Sequence, residues 1–139
     1  VFDIVFAMTN GEDGTQVLLN NVQLIGNFRG VEANATGTTA GNILTISGAR
    51  IFGNTDNGID GSSNANALQI MIENSTIANN ARALILAGAG VNTRIGGSLI
   101  TSNTTAASAT GGAILQSYRT NQIDLNTNNN TPITQAQLN

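Results

Sequence analysis

Aliphatic residues recur along the chain at a fixed distance from an asparagine. At five places an aliphatic residue is followed three positions later by Asn, and these Asn residues are 27, 26, 23 and 23 residues apart. Such a spacing is typical of one coil of a β-solenoid and too variable for a coiled coil. The five pairs are Leu24 and Asn27, Ile51 and Asn54, Ile77 and Asn80, Ile100 and Asn103, and Ile123 and Asn126.

The residues upstream of each aliphatic anchor predict a short strand and then a bend. Positions seven and five residues before the anchor hold mostly apolar side chains, which is the two-residue period of a strand with one buried face. The position three before the anchor holds Asn or Gly in all coils except one, and these residues adopt left-handed backbone angles most easily. The three columns are Val17, Leu44, Ile70, Thr93 and Gln116; Leu19, Ile46, Ile72, Ile95 and Tyr118; and Asn21, Gly48, Asn74, Gly97 and Thr120.

A third short strand is predicted downstream of each Asn, so that three strands and three bends form one coil. No segment combines helix caps with a sustained helical apolar stripe. The predicted fold is therefore all-β, a single domain over residues 1–139 forming a right-handed, single-stranded parallel β-helix of about five coils. The third strand is predicted at 30–33, 58–61, 83–86 and 112–115, with insertions at 34–43, 61–69, 87–92 and 104–111.

The five asparagines are predicted to stack as a ladder. Coils of a β-helix lie about 4.8 Å apart, so that equivalent residues lie directly above one another. Asn side chains in a bend can each donate an amide hydrogen to the next coil, as in cross-β stacks. The predicted ladder is Asn27, Asn54, Asn80, Asn103 and Asn126, with Asn79 as an alternative to Asn80.

Charged residues follow the ladder positions at a fixed distance. Arg29, Asp56 and Arg82 stand two residues beyond the ladder in the first three coils, which predicts an outward column of alternating charge. Each exposed pair in such a column contributes only ~0–1 kcal/mol. The same residues count against the leucine-rich repeat, which has an overlapping period but needs a buried Leu at this position.

Composition excludes several kinds of chemistry. The chain has 139 residues, no Cys and no His, which removes disulfides, thiolate nucleophiles, imidazole bases and ordinary zinc sites. A net charge of −3 with five Arg argues against nucleic acid and anionic membranes as partners. No apolar run reaches about 18 residues, so no membrane-inserted helix is predicted.

Two carboxylates are expected to meet on the third strand. If Val31 and Ile59 point inward, Glu32 and Asp60 point outward on neighbouring coils. Paired carboxylates suit acid–base catalysis or a weak Ca²⁺ site, so Glu32 and Asp60 are the candidate catalytic and metal-binding residues. No other cofactor is expected.

At these repeats the chain resembles the right-handed parallel β-helix repeat family of the pectate-lyase-like superfamily. The likeness is carried by residues 46–54 with 57–59, and residues 113–133 are similar to the carboxyl-terminal end of bacterial secreted members. It spans about residues 16–132 and implies an extracellular or cell-surface location. The superfamily includes pectate lyases, polygalacturonases, adhesin passenger domains and phage tailspikes, so the resemblance leaves the activity open. The lyases' carboxylates with an Arg or Lys base, and the hydrolases' Asp group, are not reproduced.

Three hypotheses about function follow. The first is a non-catalytic structural or adhesive module that presents a rigid, elongated surface to polysaccharide or protein, with the insertions as one place for binding. The second is a fragment of a carbohydrate-active enzyme whose catalytic coils lie upstream. The third is a self-associating fibre subunit.

The two ends of the chain differ in their pattern. Residues 1–15 are interpreted as an incomplete first coil, and residues 127–139 as a cap or tail containing the strand-breaking Pro132. An open β-helix end offers unpaired backbone groups to another strand. Upstream coils of a longer chain, or end-to-end self-association, are therefore predicted to cover the amino-terminal end.

Overall fold

The fold is a stack of parallel strands in three sheets. A computed structural model describes residues 4–7, 14–37, 41–64, 67–129 and 133–136, and these contain sixteen strands and no helix. Sheet A contains β1 (Ile4–Ala7), β4 (Val31–Asn34), β7 (Asn57–Ser62), β10 (Arg82–Ala87) and β13 (Thr105–Thr110). Sheet B contains β2 (Gln16–Asn20), β5 (Asn42–Ser47), β8 (Leu68–Glu73), β11 (Val91–Gly96), β14 (Ile114–Ser117) and β16 (Thr134–Gln135). Sheet C contains β3 (Gln23–Ile25), β6 (Arg50–Phe52), β9 (Thr76–Ala78), β12 (Leu99–Thr101) and β15 (Gln122–Asp124).

Each coil passes through sheet B, then sheet C, then sheet A. Four complete coils, β2 to β13, lie between partial coils at the two ends of the described chain. Every pairing runs parallel between equivalent strands of successive coils. The all-β parallel solenoid is confirmed, and the right-handed sense stays a prediction that follows the general rule for parallel crossovers.

The core is a set of aliphatic columns inside the coil. Ile51, Ile77 and Ile100 of sheet C are paired in turn and are fully buried. Burying each such side chain contributes about 1.5–3 kcal/mol, so every coil adds apolar stabilisation to its neighbours. The other fully buried large residues are Leu44, Ile46, Ile59, Leu68, Ile70, Ile72, Leu84, Leu86 and Ile95.

The first and second connections of each coil are bends that use a left-handed backbone angle. The second bend, from sheet C to sheet A, has its positive φ at the residue just before each ladder Asn. Asn79 has a φ of 53°, so Asn79 is the bend residue and Asn80 occupies the ladder position. The first bend, from sheet B to sheet C, has positive φ at Asn21, Gly48, Asn74, Gly97 and Arg119, and the second at Gly26, Gly53, Asn79, Ser102 and Leu125.

The third connection, from sheet A to sheet B, changes length the most. Seven, five, three and three residues separate β4 from β5, β7 from β8, β10 from β11, and β13 from β14. The first connection has two residues in each of the four complete coils, and the second shortens from five residues to three along the same coils. Differences in coil length therefore arise mainly on one side of the molecule.

The predicted register of the last coil is wrong by one residue. Leu115 pairs with Thr93 and Ser117 with Ile95, whereas Gln116 and Tyr118 had been expected at these positions. Burial explains the shift, because it puts Leu115 at 2% exposure and leaves Gln116 facing outward. The bend consequently falls on Arg119, with a φ of 62°, and not on Thr120.

The third strand of the fourth coil is also not where the sequence pattern placed it. Residues 105–110, expected to be an insertion, form β13, and Leu84 of β10 pairs with Ala107. Residues 112–115 lead through a turn into β14 of sheet B. Ala106 and Ala107 are both buried, so small side chains fill the core where larger aliphatic ones were expected.

Both ends of the described chain continue the stack. β1 adds a strand to sheet A beside β4, and β16 adds a strand to sheet B beside β14. The remaining parts of the two predicted end segments, residues 1–3, 8–13, 130–132 and 137–139, lie outside the described residues. Within the described ranges there is no helix long and apolar enough to cross a membrane.

Candidate functional site

Five charged side chains meet on the outer surface of sheet A and the bend before it. Glu32 and Asp60 are partner residues on β4 and β7, as expected. Arg29 lies between them, with Nη1 2.6 Å from Glu32 Oε2 and Nε 3.6 Å from Asp60 Oδ2. Arg29 Nε is also 3.4 Å from Asp56 Oδ2, and Asp56 Oδ1 accepts from Arg82. We call Arg29, Glu32, Asp56, Asp60 and Arg82 the Arg29 cluster.

Burial decides the protonation behaviour of Asp60. Desolvation raises the pKa of this carboxyl above its ordinary value, and the negative charges of Glu32 and Asp56 act in the same direction. A hydrogen bond of 2.7 Å from Asn57 Nδ2 and the charge of Arg29 oppose this rise without cancelling it. Asp60 therefore takes up a proton more readily than a free Asp.

The Arg29 cluster has the contacts of an ion-pair network. Both candidate carboxylates lie against the same guanidinium group, which also lies 5.3 Å from the centre of the Phe28 ring. Across the described part of the chain, no three Asp, Glu, His or Cys side chains are grouped so as to hold a metal ion. A catalytic pair needs an acid or base directed at a bound substrate, and here each carboxylate is directed at Arg29.

The predicted ladder residues lie in one row along the second bend, buried at its three central members and half-buried at Asn27 and Asn126. The side-chain amide of Asn54 donates to Asn80 Oδ1 at 2.8 Å, and that of Asn80 donates to Asn103 Oδ1 at 3.1 Å. Asn103 donates to Asn126 Oδ1 at 2.9 Å. The row begins with the backbone N–H of Asn27, which donates to Asn54 Oδ1 at 3.0 Å. We call these five residues the asparagine row.

Each central member of the asparagine row uses its whole amide. Asn80 Oδ1 accepts from the backbone N–H of Asn54 as well as from its side chain. Asn80 Nδ2 also donates to the carbonyl of Ile51 in the preceding coil, at 3.2 Å. Asn80 is 3% exposed, so these bonds satisfy polar groups that would otherwise be buried without a partner.

A second polar row, which the sequence reasoning missed, runs along the first bend. Ser75 Oγ accepts from the backbone N–H of Ala49, and Ser98 Oγ accepts from that of Ser75, both at 3.1 Å. Asn121 Oδ1 accepts from the N–H of Ser98 at 2.9 Å. The available signal was a Ser in the same place in two successive coils, next to a bend, where hydroxyl groups bond to backbone readily.

The outer face of sheet B forms a second candidate surface, also missed because function was sought in the insertions. It contains a shallow depression of about 290 Å³ lined by residues of β5, β8 and β11. Arg94 Nε donates to Gln116 Oε1 at 3.2 Å on this face. Asn92 Oδ1 is buried and has no hydrogen-bond partner among the described residues. The lining residues are Ile43, Thr45, Gln69, Ile70, Met71, Asn92 and Arg94.

Comparison with protein-family models, with curated proteins and with solved structures finds no match to this chain.

Proposed function

We propose that the chain is a non-catalytic structural or adhesive module, exposed outside the cell, that presents a rigid surface to a carbohydrate or protein partner. The location and the bacterial, secreted origin belong to this proposal, and their support is the resemblance to the pectate-lyase-like superfamily. The proposal includes upstream coils or further copies of the chain as partners at the amino-terminal end.

The observation that carries the proposal is the engagement of both candidate carboxylates by Arg29. Glu32 is bonded to Arg29 at 2.6 Å, and Asp60 is held by Arg29 and Asn57. A carboxylate that accepts from a guanidinium group has at least one oxygen committed to that charge-assisted hydrogen bond. This arrangement favours a structural role over acid–base catalysis.

Rigidity is the property that this fold offers to a partner. The asparagine row and the row of Ser75, Ser98 and Asn121 tie successive coils together at two of the three bends. Most strands of sheet B alternate buried and outward residues, which leaves a regular outer face. Such a surface can bind with little loss of conformational entropy.

The proposal is tested by incubating the protein with a panel of neutral and acidic polysaccharides and measuring both binding and chain cleavage. We expect no release of reducing or unsaturated ends by the wild-type protein. Cleavage that is lost in both Glu32→Ala and Asp60→Ala, with the folded state intact by circular dichroism, would overturn the proposal. Asp124→Asn, at an exposed carboxylate of sheet C, is the matched control.

The second candidate function is that of a carbohydrate-active enzyme fragment, favoured by one observation. Asp60 has a raised pKa and lies beside Glu32, and a protonated and a charged carboxyl together form the usual pair of glycoside hydrolysis. The same cleavage assay decides between the two candidates.

A further inference from the structure

On the outer face of sheet B, the strands carry one acidic residue, Glu73, and one basic residue, Arg94, which are not paired with each other. Glu73, at the end of β8, makes no side-chain hydrogen bond or ion pair within the described residues. Arg94 of β11 bonds only to the neutral amide of Gln116 in that same set, in contrast to Arg29 and Arg82. Both side chains are exposed.

Large apolar side chains lie on the same face as Glu73 and Arg94. Leu18, Ile43 and Ile114 are 65%, 37% and 45% exposed, although each is a large aliphatic residue. Met71 lies next to Arg94 on the neighbouring strand and lines the depression. An exposed apolar surface edged by polar groups is the usual sign of a protein interface. We call Leu18, Ile43, Met71, Glu73, Arg94 and Ile114 the sheet B patch.

We propose that the sheet B patch is the interface of a symmetric homodimer, in which Arg94 of each copy lies opposite Glu73 of the other. The inference rests on the proposed function, because it names a second copy as the module's protein partner. Two ion pairs would form, related by a two-fold axis that lies in the plane of the face.

Self-complementarity is the reason for choosing a second copy as the occupant. Met71 pairs with Arg94 and Glu73 with Gly96, so the acid and the base lie on adjacent coils, two residues apart along the strand. A two-fold axis that passes midway between Glu73 and Arg94 brings Arg94 of one copy opposite Glu73 of the other, and Glu73 of the first opposite Arg94 of the second. A partner of one charge sign would leave either Glu73 or Arg94 opposite a like charge.

The size of the face sets the expected affinity. Five strands about 4.8 Å apart, each about 20 Å long, give about 500 Å² per copy. Two copies would bury about 1,000 Å² together, at the lower limit of specific interfaces. We therefore expect a weak dimer with a dissociation constant in the micromolar range.

Charge exchange tests the pairing directly, with sedimentation equilibrium over a range of concentrations as the measurement. Arg94→Glu and Glu73→Arg are each expected to weaken the wild-type dimer at least tenfold, since like charges would face each other. An equimolar mixture of the two variants is expected to restore dimerisation as a heterodimer, and the double variant should restore it within one chain. Arg50→Glu on the outer face of sheet C is the matched control and should leave the dimer unchanged.

Three results would overturn the homodimer. One is a wild-type protein that stays monomeric at millimolar concentration, and another is a dimer that Arg94→Glu does not weaken. The third is a mixture of the two variants that does not associate. A monomer whose binding to a polysaccharide is lost in Arg94→Glu would assign the patch to carbohydrate and refute the homodimer as well. None of these results concerns cleavage, so failure of the homodimer is distinguishable from failure of the proposed function.

Discussion

The asparagine row and the Arg29 cluster are both polar networks built by stacking coils, and they differ in their surroundings. Asn54, Asn80 and Asn103 are 1–3% exposed, and their amides bond to one another and to backbone groups. In the Arg29 cluster, the side chains of Arg29 and Arg82 are 29% and 45% exposed. A hydrogen bond that satisfies a buried group is costly to remove, whereas water replaces a lost surface partner. The asparagine row should therefore contribute more to the stability of the stack than the Arg29 cluster does.

The largest effect is expected from Asn80→Ala. The change removes the acceptor of two donors of Asn54 and leaves the carbonyl of Ile51 without its amide partner. We expect the free energy of unfolding to fall by about 3 kcal/mol, measured by chemical denaturation. Asn128→Ala, at an exposed Asn near the same row, is the control and should change it by less than about 0.5 kcal/mol. Equal losses in the two variants would contradict the special role of the row.

The next largest effect is expected from Thr93→Val, which removes a buried polar atom that belongs to neither the asparagine row nor the Arg29 cluster. Thr93 is fully buried, and its Oγ1 has no hydrogen-bond partner in the described part of the chain. Its neighbours in the column, Ile70 and Leu115, are apolar. Thr93→Val should raise the free energy of unfolding by about 1 kcal/mol, because it removes the desolvation cost of the hydroxyl. Thr93→Ser keeps the hydroxyl and should not give this gain, which denaturation midpoints of both variants would show.

A smaller effect is expected from Asp60→Asn, and it should depend on pH. Since the folded-state pKa of Asp60 is raised, the folded protein binds this proton more tightly than the unfolded chain. The contribution of Asp60 to stability is therefore fully present below the unfolded pKa and is lost as pH rises through the folded pKa. The variant lacks this loss, so its stability relative to wild type should increase across that window. Melting temperatures from pH 3 to 7 measure the difference, and a difference that falls with rising pH would refute the sign.

The smallest effect is expected from Arg82→Ala. Arg82 is the most exposed partner in the cluster, and Asp56 keeps its contact with Arg29 when Arg82 is removed. We expect the free energy of unfolding to change by less than about 0.5 kcal/mol, and by still less at high salt. A loss comparable to that of Asn80→Ala would remove the distinction between the two networks. Chemical denaturation at low and high ionic strength supplies both measurements.

The sequence predicted the solenoid because its aliphatic columns repeat at nearly constant spacing. Equivalent positions such as Ile51 and Ile77 could be aligned without knowing the backbone. The pattern failed where small residues form the core, as at Ala106 and Ala107 of β13. It also failed in the last coil, where the chain holds one additional residue between Arg119 and Gln122. Counting back from Ile123 therefore placed Tyr118 in the buried column, one residue beyond the true register.

The candidate surfaces were predictable to different degrees. The meeting of Glu32 and Asp60 followed from strand alternation alone, since both stand at outward positions of equivalent strands. Their bonds to Arg29 depend on the direction in which the second bend points the Arg29 side chain, three residues before Glu32. The spacing of residues along the sequence does not specify that direction. The sheet B patch draws on five strands that are distant in sequence, so only the stacked structure brings Leu18 and Ile114 to one face.

The connection from sheet A to sheet B shortens from seven residues to three along the stack, while the strands that it joins stay paired in parallel with those of the next coil. The first bend keeps two residues in the four complete coils and the second varies only between five and three, so the largest change in coil length is tolerated at the connection from sheet A to sheet B. Foreign peptides grafted between β4 and β5 would thus project from one edge of the rod while its cross-section stayed the same.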